Sequence, residues 1–282
     1  MRVAVLGTGT MGTGIAHSLL RAGIDVVVWN RHIERAQPLA ADGARVVADV
    51  AAAVADADVV LTMLFDEAAV TEVAGEMLAS VADGAIWMQC ATVGPSGIRR
   101  LAALAEAQGV SIVDSPVVGT KQPAEEGKLV LPISGDPALI DRLRPVLRAM
   151  GSKTVDAGPE LGSASAVKLA CNSWVATLTA GAAQAISLSQ ALEVDPTLFL
   201  QAIAGGASDS PYLHLKSGLM LGGDFAPSFA VDGLLKDLNL MVGELEPVGA
   251  STRLVTPLRD AFEDSADTGH GEDDVAAVIS AF

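Results

Sequence analysis

Apolar residues fall in short unbroken blocks along the first half of the chain and at helical spacing along the second. Arg2–Leu6 and Asp25–Asn30 read as parallel strands, since blocks with no polar alternation leave neither face for water. Between them Met11–Ala22 repeats its apolar positions as an amphipathic helix does, and Gly23 ends it. Further strand candidates follow at Arg45–Val46, Val59–Leu64, Ala85–Gln89, Val110–Val113, Leu129–Ile133 and Thr154–Val155, with helical stretches between most of them. That alternation predicts an α/β fold with a mostly parallel, doubly wound sheet through about residue 158.

From Leu161 onward only helical periodicity remains. Gly158-Pro159-Glu160 marks the border, with proline at a helix start and an acid in its first turn. Asp195-Pro196 reads as a helix start, Gly205-Gly206 as a stop, Phe229–Leu245 as another helix and Pro247 as its terminator. The expected organisation is a sheet domain over 1–159 and a smaller all-helical domain over 160–282, joined by a long helix.

Composition narrows the possibilities. With 282 residues, 50% of them hydrophobic, the chain can fill two cores, which excludes a disordered or fibrous protein. Eighteen basic residues against 34 acidic ones give a formal charge of −16, the wrong sign for a nucleic-acid partner. Cys90 and Cys171 have no pairing or metal-ligand spacing, and His17, His32, His214 and His270 are too scattered to suggest a metal site. A reducing, cytoplasmic location is therefore expected. The chain enters a strand at once and no apolar run reads as a membrane span, so neither a signal peptide nor a membrane partner is expected.

Candidate chemistry starts between the first strand and the first helix, with Gly7-Thr8-Gly9-Thr10-Met11-Gly12. In such a turn the first glycine permits the tight bend, the second admits a pyrophosphate to the backbone and the third lets helix and strand pack closely. The helix start adds unpaired N–H groups for the phosphates. Strand, turn, helix and second strand all agree with a dinucleotide-binding (Rossmann) unit. At the end of the second strand, where an acid normally accepts from a free ribose 2′-hydroxyl, stand Asn30 and Arg31. A guanidinium suits a 2′-phosphate, which favours NADP(H) over NAD(H). The plainer alternative makes Arg31, His32 and Arg35 an ordinary solvated loop.

Leu161–Leu192 is a 32-residue stretch in which Lys168 is the one charged side chain. A helix this apolar is expected to be buried nearly all round, and the helical domain is too small to cover it, which predicts a homodimer. Burying an ammonium is costly unless it is paired or lines a wet cleft, so Lys168 needs a reason. Asn172, four residues on, shares its helical face and supplies a positioned amide. A lysine that snorkels to the helix end is the plainer reading.

Lys168-Leu-Ala-Cys-Asn172, taken with the opening Val5-Leu-Gly-Thr-Gly-Thr-Met-Gly12, resembles the β-hydroxyacid dehydrogenase family, which includes 3-hydroxyisobutyrate dehydrogenases and glyoxylate/succinic semialdehyde reductases. The resemblance extends through Thr62-Met63-Leu64, Ala91-Thr92-Val-Gly-Pro95, Asp114-Ser-Pro-Val-Val-Gly-Thr120, Lys121-Gln-Pro-Ala-Glu-Glu-Gly127, Phe229 and Lys236-Asp237. It implies an NADP(H)-dependent oxidoreductase passing hydride to or from a small hydroxy acid, aldehyde or keto acid. Lys168 would be its catalytic lysine and Asn172 the partner that positions it. Met63, Leu64, Thr92 and Lys236 would contact the cofactor, and Val118, Gly119, Thr120, Phe229 and Asp237 would line the substrate. Val118 departs from the family, which carries there a serine that helps hold a carboxylate. That departure keeps open an imine reductase-like enzyme; a non-catalytic cofactor-binding scaffold is a further alternative, against which the presence of both Lys168 and Asn172 weighs.

Overall fold

The computed structural model describes residues 1–282. Its strands β1 (Arg2–Leu6), β2 (Asp25–Trp29), β3 (Arg45–Val46), β4 (Val59–Thr62), β5 (Ile86–Gln89) and β6 (Ser111–Asp114) form one parallel sheet in the order β3-β2-β1-β4-β5-β6. Helices α1 (Thr10–Arg21), α2 (Val50–Val54), α3 (Glu67–Ser80) and α4 (Gly94–Ala107) lie between the strands in sequence. Successive strand side chains point to opposite faces, so each strand feeds two apolar clusters. Val3, Val5, Val26, Val28 and Leu61 pack with Ile15 and Leu19 of α1, while Ala4, Leu6, Val27 and Val60 pack with Val70 and Met77 of α3 and Ile98 of α4. Burial on both faces is why the strands read as unbroken apolar blocks.

The last two predicted strands leave this sheet. After β6 come α5 (Lys121–Glu126), β7 (Leu129–Ile133), α6 (Pro137–Met150) and β8 (Gly151–Asp156), and β7 and β8 form a separate parallel pair. A six-residue α5 is too short to carry the chain back across the sheet for another parallel strand. The chain instead doubles back, and the bridges Asp114–Ser134 and Val118–Val130 are antiparallel.

Two compact units result, Met1–Leu169 and Ala170–Phe282, and the long helix α7 (Ser163–Ala191) runs from the end of the first into the second. It starts at Ser163 rather than at the predicted Pro159, because a buried carboxylate from β6 caps it there. Asp114 Oδ2 accepts from the Ser165 N–H at 2.9 Å and the Gly162 N–H at 3.2 Å, and Oδ1 accepts from Ser165 Oγ at 2.8 Å. Gly162, at φ +100°, makes the turn that aims these donors.

The second unit continues with α8 (Pro196–Ile203), α9 (Pro211–Gly222), α10 (Val231–Leu245) and α11 (Val255–Ser265), then a 3₁₀ turn over Val275–Ala281. α10 packs on α11, and α11 on the terminal turn. Phe229 lies just before α10, whose N-cap is Ala230, and not inside the helix as its periodicity suggested. Lys216 and Asp274, both nearly fully buried, pair at 2.6 Å, and Asp274 also accepts from the Ser228 and Ala276 N–H groups. Burial pushes the Asp274 carboxyl up, but Lys216 and the N–H donors outweigh it and hold the group below the usual aspartate range.

α7 is not buried all round in the single chain. Trp174 is 63% exposed, and Gly181, Gln184 and Leu188 are open along the same helix. α8, although apolar, contains no buried residue. No helix is long and apolar enough to cross a membrane.

Candidate active site

The predicted site residues of the first unit that precede β7 follow, in sequence, the carboxyl ends of parallel strands. The strand order reverses between β1 and β4, and open sheets of this kind bind ligands at that switch point. Gly7–Met11 follows β1, Asn30-Arg31 follows β2, Met63-Leu64 follows β4, Thr92 follows β5 and Val118–Thr120 follows β6.

Sterics demand the glycines. Gly7 has φ +105°, and a Cβ there would lie 2.3 Å from the Met63 carbonyl oxygen and 2.8 Å from Leu64 Cδ2. A Cβ on Gly12 would meet the Gly7 oxygen at 1.8 Å. These contacts bring Met63 and Leu64 against the turn. Gly9 faces open space and provides no side-chain cap for α1, whose first intrahelical bond is Thr13 N–H to Gly9 C=O at 2.9 Å. Inside the same loop Thr8 Oγ1 is buried with no hydrogen-bond partner. An open backbone approach, first-turn N–H groups without intrahelical acceptors and an orphaned hydroxyl fit a dinucleotide phosphate.

Asn30 Oδ1 accepts from the His32 N–H at 2.9 Å and shapes the loop after β2. Arg31 is exposed and pairs with Glu72 of α3. Ala91, the residue before Thr92, is held by a clamp that periodicity alone does not reveal. Gln89 accepts from the Ala91 N–H at 2.7 Å and donates to the Ala91 C=O at 2.9 Å, while Thr62 Oγ1 donates to Gln89 at 3.2 Å. A buried Gln and Thr at neighbouring strand ends were the available signal.

Val118 cannot replace a serine through its backbone, because its N–H and C=O both bond to Val130, at 2.8 and 2.9 Å. Lys121 Nζ lies 4.0 Å from Glu125 in an exposed pair. The Thr120 hydroxyl does not cap α5, and Gly119 adopts φ +135°.

Lys168 is 9% exposed and is the one charged residue of α7. Asn172, one turn on, is 3% exposed and belongs to the second unit. There α10 brings Lys236 and Asp237 to it: Asn172 Nδ2 donates to Asp237 Oδ2, and Lys236 Nζ to Asp237 Oδ1 at 2.6 Å. Phe229 stands over Gly233, where a Cβ would lie 2.9 Å from its ring. Asp237, predicted to line the substrate, is 2% exposed with both oxygens engaged. No group of His, Cys, Asp and Glu residues is arranged to hold a metal.

A glycine turn at the switch point of a parallel sheet, followed by a helical unit entered through a helix with a lone buried lysine, defines a nicotinamide-dinucleotide-dependent oxidoreductase. Residues 2–158 match the NAD-binding domain of 6-phosphogluconate dehydrogenase, and residues 162–282 match the NAD-binding domain of NADP-dependent 3-hydroxyisobutyrate dehydrogenase. The chain belongs to the β-hydroxyacid dehydrogenase family. It is 29% identical to glyoxylate/succinic semialdehyde reductase 2, chloroplastic, of Arabidopsis thaliana, over 99% of this chain and 78% of that protein. The Mycobacterium tuberculosis 3-hydroxyisobutyrate dehydrogenase solved with L-serine superposes with a TM-score of 0.89 at 28% identity, covering 99% of this chain and 98% of that one. Psf3, solved with NADP+ and 2-OPP, gives 0.88 at 26% identity over 99% of both chains.

Proposed function

We propose that this oxidoreductase prefers NADP(H) and interconverts a small carbonyl compound with its alcohol, using Lys168 as general acid and base. The observation that carries this reading is the burial of Lys168, the one charged residue of the 29-residue α7. Gly7, Thr8, Gly9, Thr10, Met11 and Gly12 would hold the dinucleotide phosphates, Asn30 and Arg31 the 2′-phosphate, and Met63, Leu64, Thr92 and Lys236 would complete the cofactor contacts. When bound, the nicotinamide supplies the hydride in reduction and takes it up in oxidation. In reduction the carbonyl oxygen gains negative charge. Lys168 stabilises that charge, gives the oxygen a proton, becomes a neutral amine and is reprotonated from solvent. Asn172 keeps the lysine in line.

The acid substrate named for the Arabidopsis reductase, glyoxylate or succinic semialdehyde, is the first candidate. Val118 favours a second reading, in which a neutral carbonyl or imine is reduced, since neither its side chain nor its backbone can hold a carboxylate. Gly119, Thr120 and Phe229 would then shape an apolar rather than an anionic site. We also infer a homodimer, because Trp174 and Leu188 of α7 are exposed and the apolar α8 that follows contains no buried residue.

NADPH oxidation with glyoxylate, succinic semialdehyde, a neutral aldehyde and a cyclic imine distinguishes the substrate classes. On the best of them Lys168→Met is expected to lower kcat by about 10² to 10⁴ while NADPH affinity holds, because a positioned acid contributes about that much. A variant that keeps more than about a tenth of wild-type kcat would end the general-acid assignment.

A further inference from the structure

Asp237 has no room to act on a substrate, yet its placement decides how the neighbouring amide faces. An ionised carboxylate only accepts hydrogen bonds, so the half of the Asn172 side chain turned toward it must be the NH₂ group. The carbonyl Oδ1 of Asn172 is thereby turned away from Asp237. Flipping the amide would set a carbonyl against a buried carboxylate, and both groups would lose a charge-assisted hydrogen bond.

We propose that Asp237 is a positioning residue that acts through Asn172: it fixes the amide so that Oδ1 is the acceptor offered to the Lys168 ammonium, one turn earlier on α7. The proposal rests on the reading of Lys168 as the proton donor. It deepens that reading by removing an ambiguity. With Nδ2 committed to Asp237, Asn172 orients the lysine by accepting and does not itself donate to the substrate oxygen, which leaves that role to Lys168. Lys236 completes the arrangement. Its Nζ donates to the other carboxylate oxygen, so both oxygens of Asp237 are engaged as acceptors.

The test is a mutant cycle on the best of the four substrates above, with Asp237→Ala, Asp237→Asn, Asn172→Ala and the Asp237→Ala/Asn172→Ala double variant. Asp237→Ala is expected to lower kcat at least tenfold with KM within about twofold of wild type, since no substrate contact is lost. Asp237→Asn retains an acceptor oxygen for Nδ2 and is expected to restore most of that loss. The double variant is expected to be no slower than Asn172→Ala, because both residues act along one chain. In the cofactor-free protein, the Asn172 side-chain amide protons are expected to be shifted downfield and slow to exchange, to lose both properties in Asp237→Ala and to keep them in Asp237→Asn.

A raised KM with multiplicative effects in the double variant would show Asp237 to be a substrate contact and overturn the proposal. So would wild-type kcat per folded site in Asp237→Ala, the outcome of a purely structural role. If Lys168→Met and Asn172→Ala are both as active as wild type, the general-acid reading fails instead. The amide signals then still report whether Asp237 holds Asn172.

Discussion

In the function proposed above, Arg31 and Val118 would each govern one kind of selectivity, and each would act through a single side chain. Arg31 stands where an acid would reject a 2′-phosphate, and its present partner Glu72 is an exposed carboxylate on α3, the sort of contact worth little in water. A phosphate can therefore compete for the guanidinium. Arg31→Ala is expected to weaken NADPH about tenfold, about 1.4 kcal/mol, and to leave NADH unchanged in a fluorescence titration. Equal loss for both cofactors would refute the preference. At Val118 the missing group is a hydroxyl. Val118→Ser is expected to lower KM for glyoxylate or succinic semialdehyde, because one donor to a charged group contributes about 1.5–3 kcal/mol. If KM for every acid stays unchanged while neutral carbonyls or imines remain better substrates, the acid reading falls.

At the scale of elements, the start of α7 depends on a residue nearly fifty positions earlier. Asp114, fully buried at the end of β6, takes the role that a local N-cap side chain plays elsewhere. Asp114→Ala orphans the Gly162 and Ser165 donors and is expected to cost about 2–4 kcal/mol in urea unfolding. Burial pushes the Asp114 carboxyl above its ordinary 3.8, although Ser165, Gly162 and Ser134 all donate to it. Between 3.8 and that raised value the folded chain binds more protons than the unfolded one. Stability is thus expected to fall as pH rises through this window and to level off above it. Asp114→Asn, which cannot ionise, should lose that slope while keeping an acceptor for the cap. An unchanged slope would show that other groups set it.

For the whole molecule, the unpartnered surface is the apolar side of the second unit. Trp174, Leu188, Leu192 and Leu198 are all more than half exposed in the single chain. Light scattering at micromolar concentration is expected to give twice the 28.7 kDa chain mass. Trp174→Glu with Leu188→Glu should return the protein to that mass. Each chain carries a net charge of −16, and exposed charges are screened over about 8 Å at 0.15 M ionic strength. The dimer is therefore expected to tighten as salt rises. A wild-type monomer would refute the assembly.

What local order can encode was legible without coordinates. The glycine spacing of Gly7–Gly12 can be read within a few positions, and β1, α1 and β2 lie close to where apolar blocks and a glycine stop place them, although Met63 and Leu64 pack against the turn from far along the chain. Lys168 and Asn172 could be paired from their spacing alone, since one helix sets both. Tertiary structure decided whatever depends on residues distant in sequence. It moved β7 and β8 out of the main sheet, because a crossover must be long enough to span it. It started α7 at Ser163, because a carboxylate from another strand satisfies its N–H groups. It buried Lys216 against Asp274 and turned Asp237 toward Asn172, two buried polar pairings that no periodicity announces. A hydrophobic pattern records which face of an element avoids water, but the partner of a buried charge is chosen only when separate elements meet.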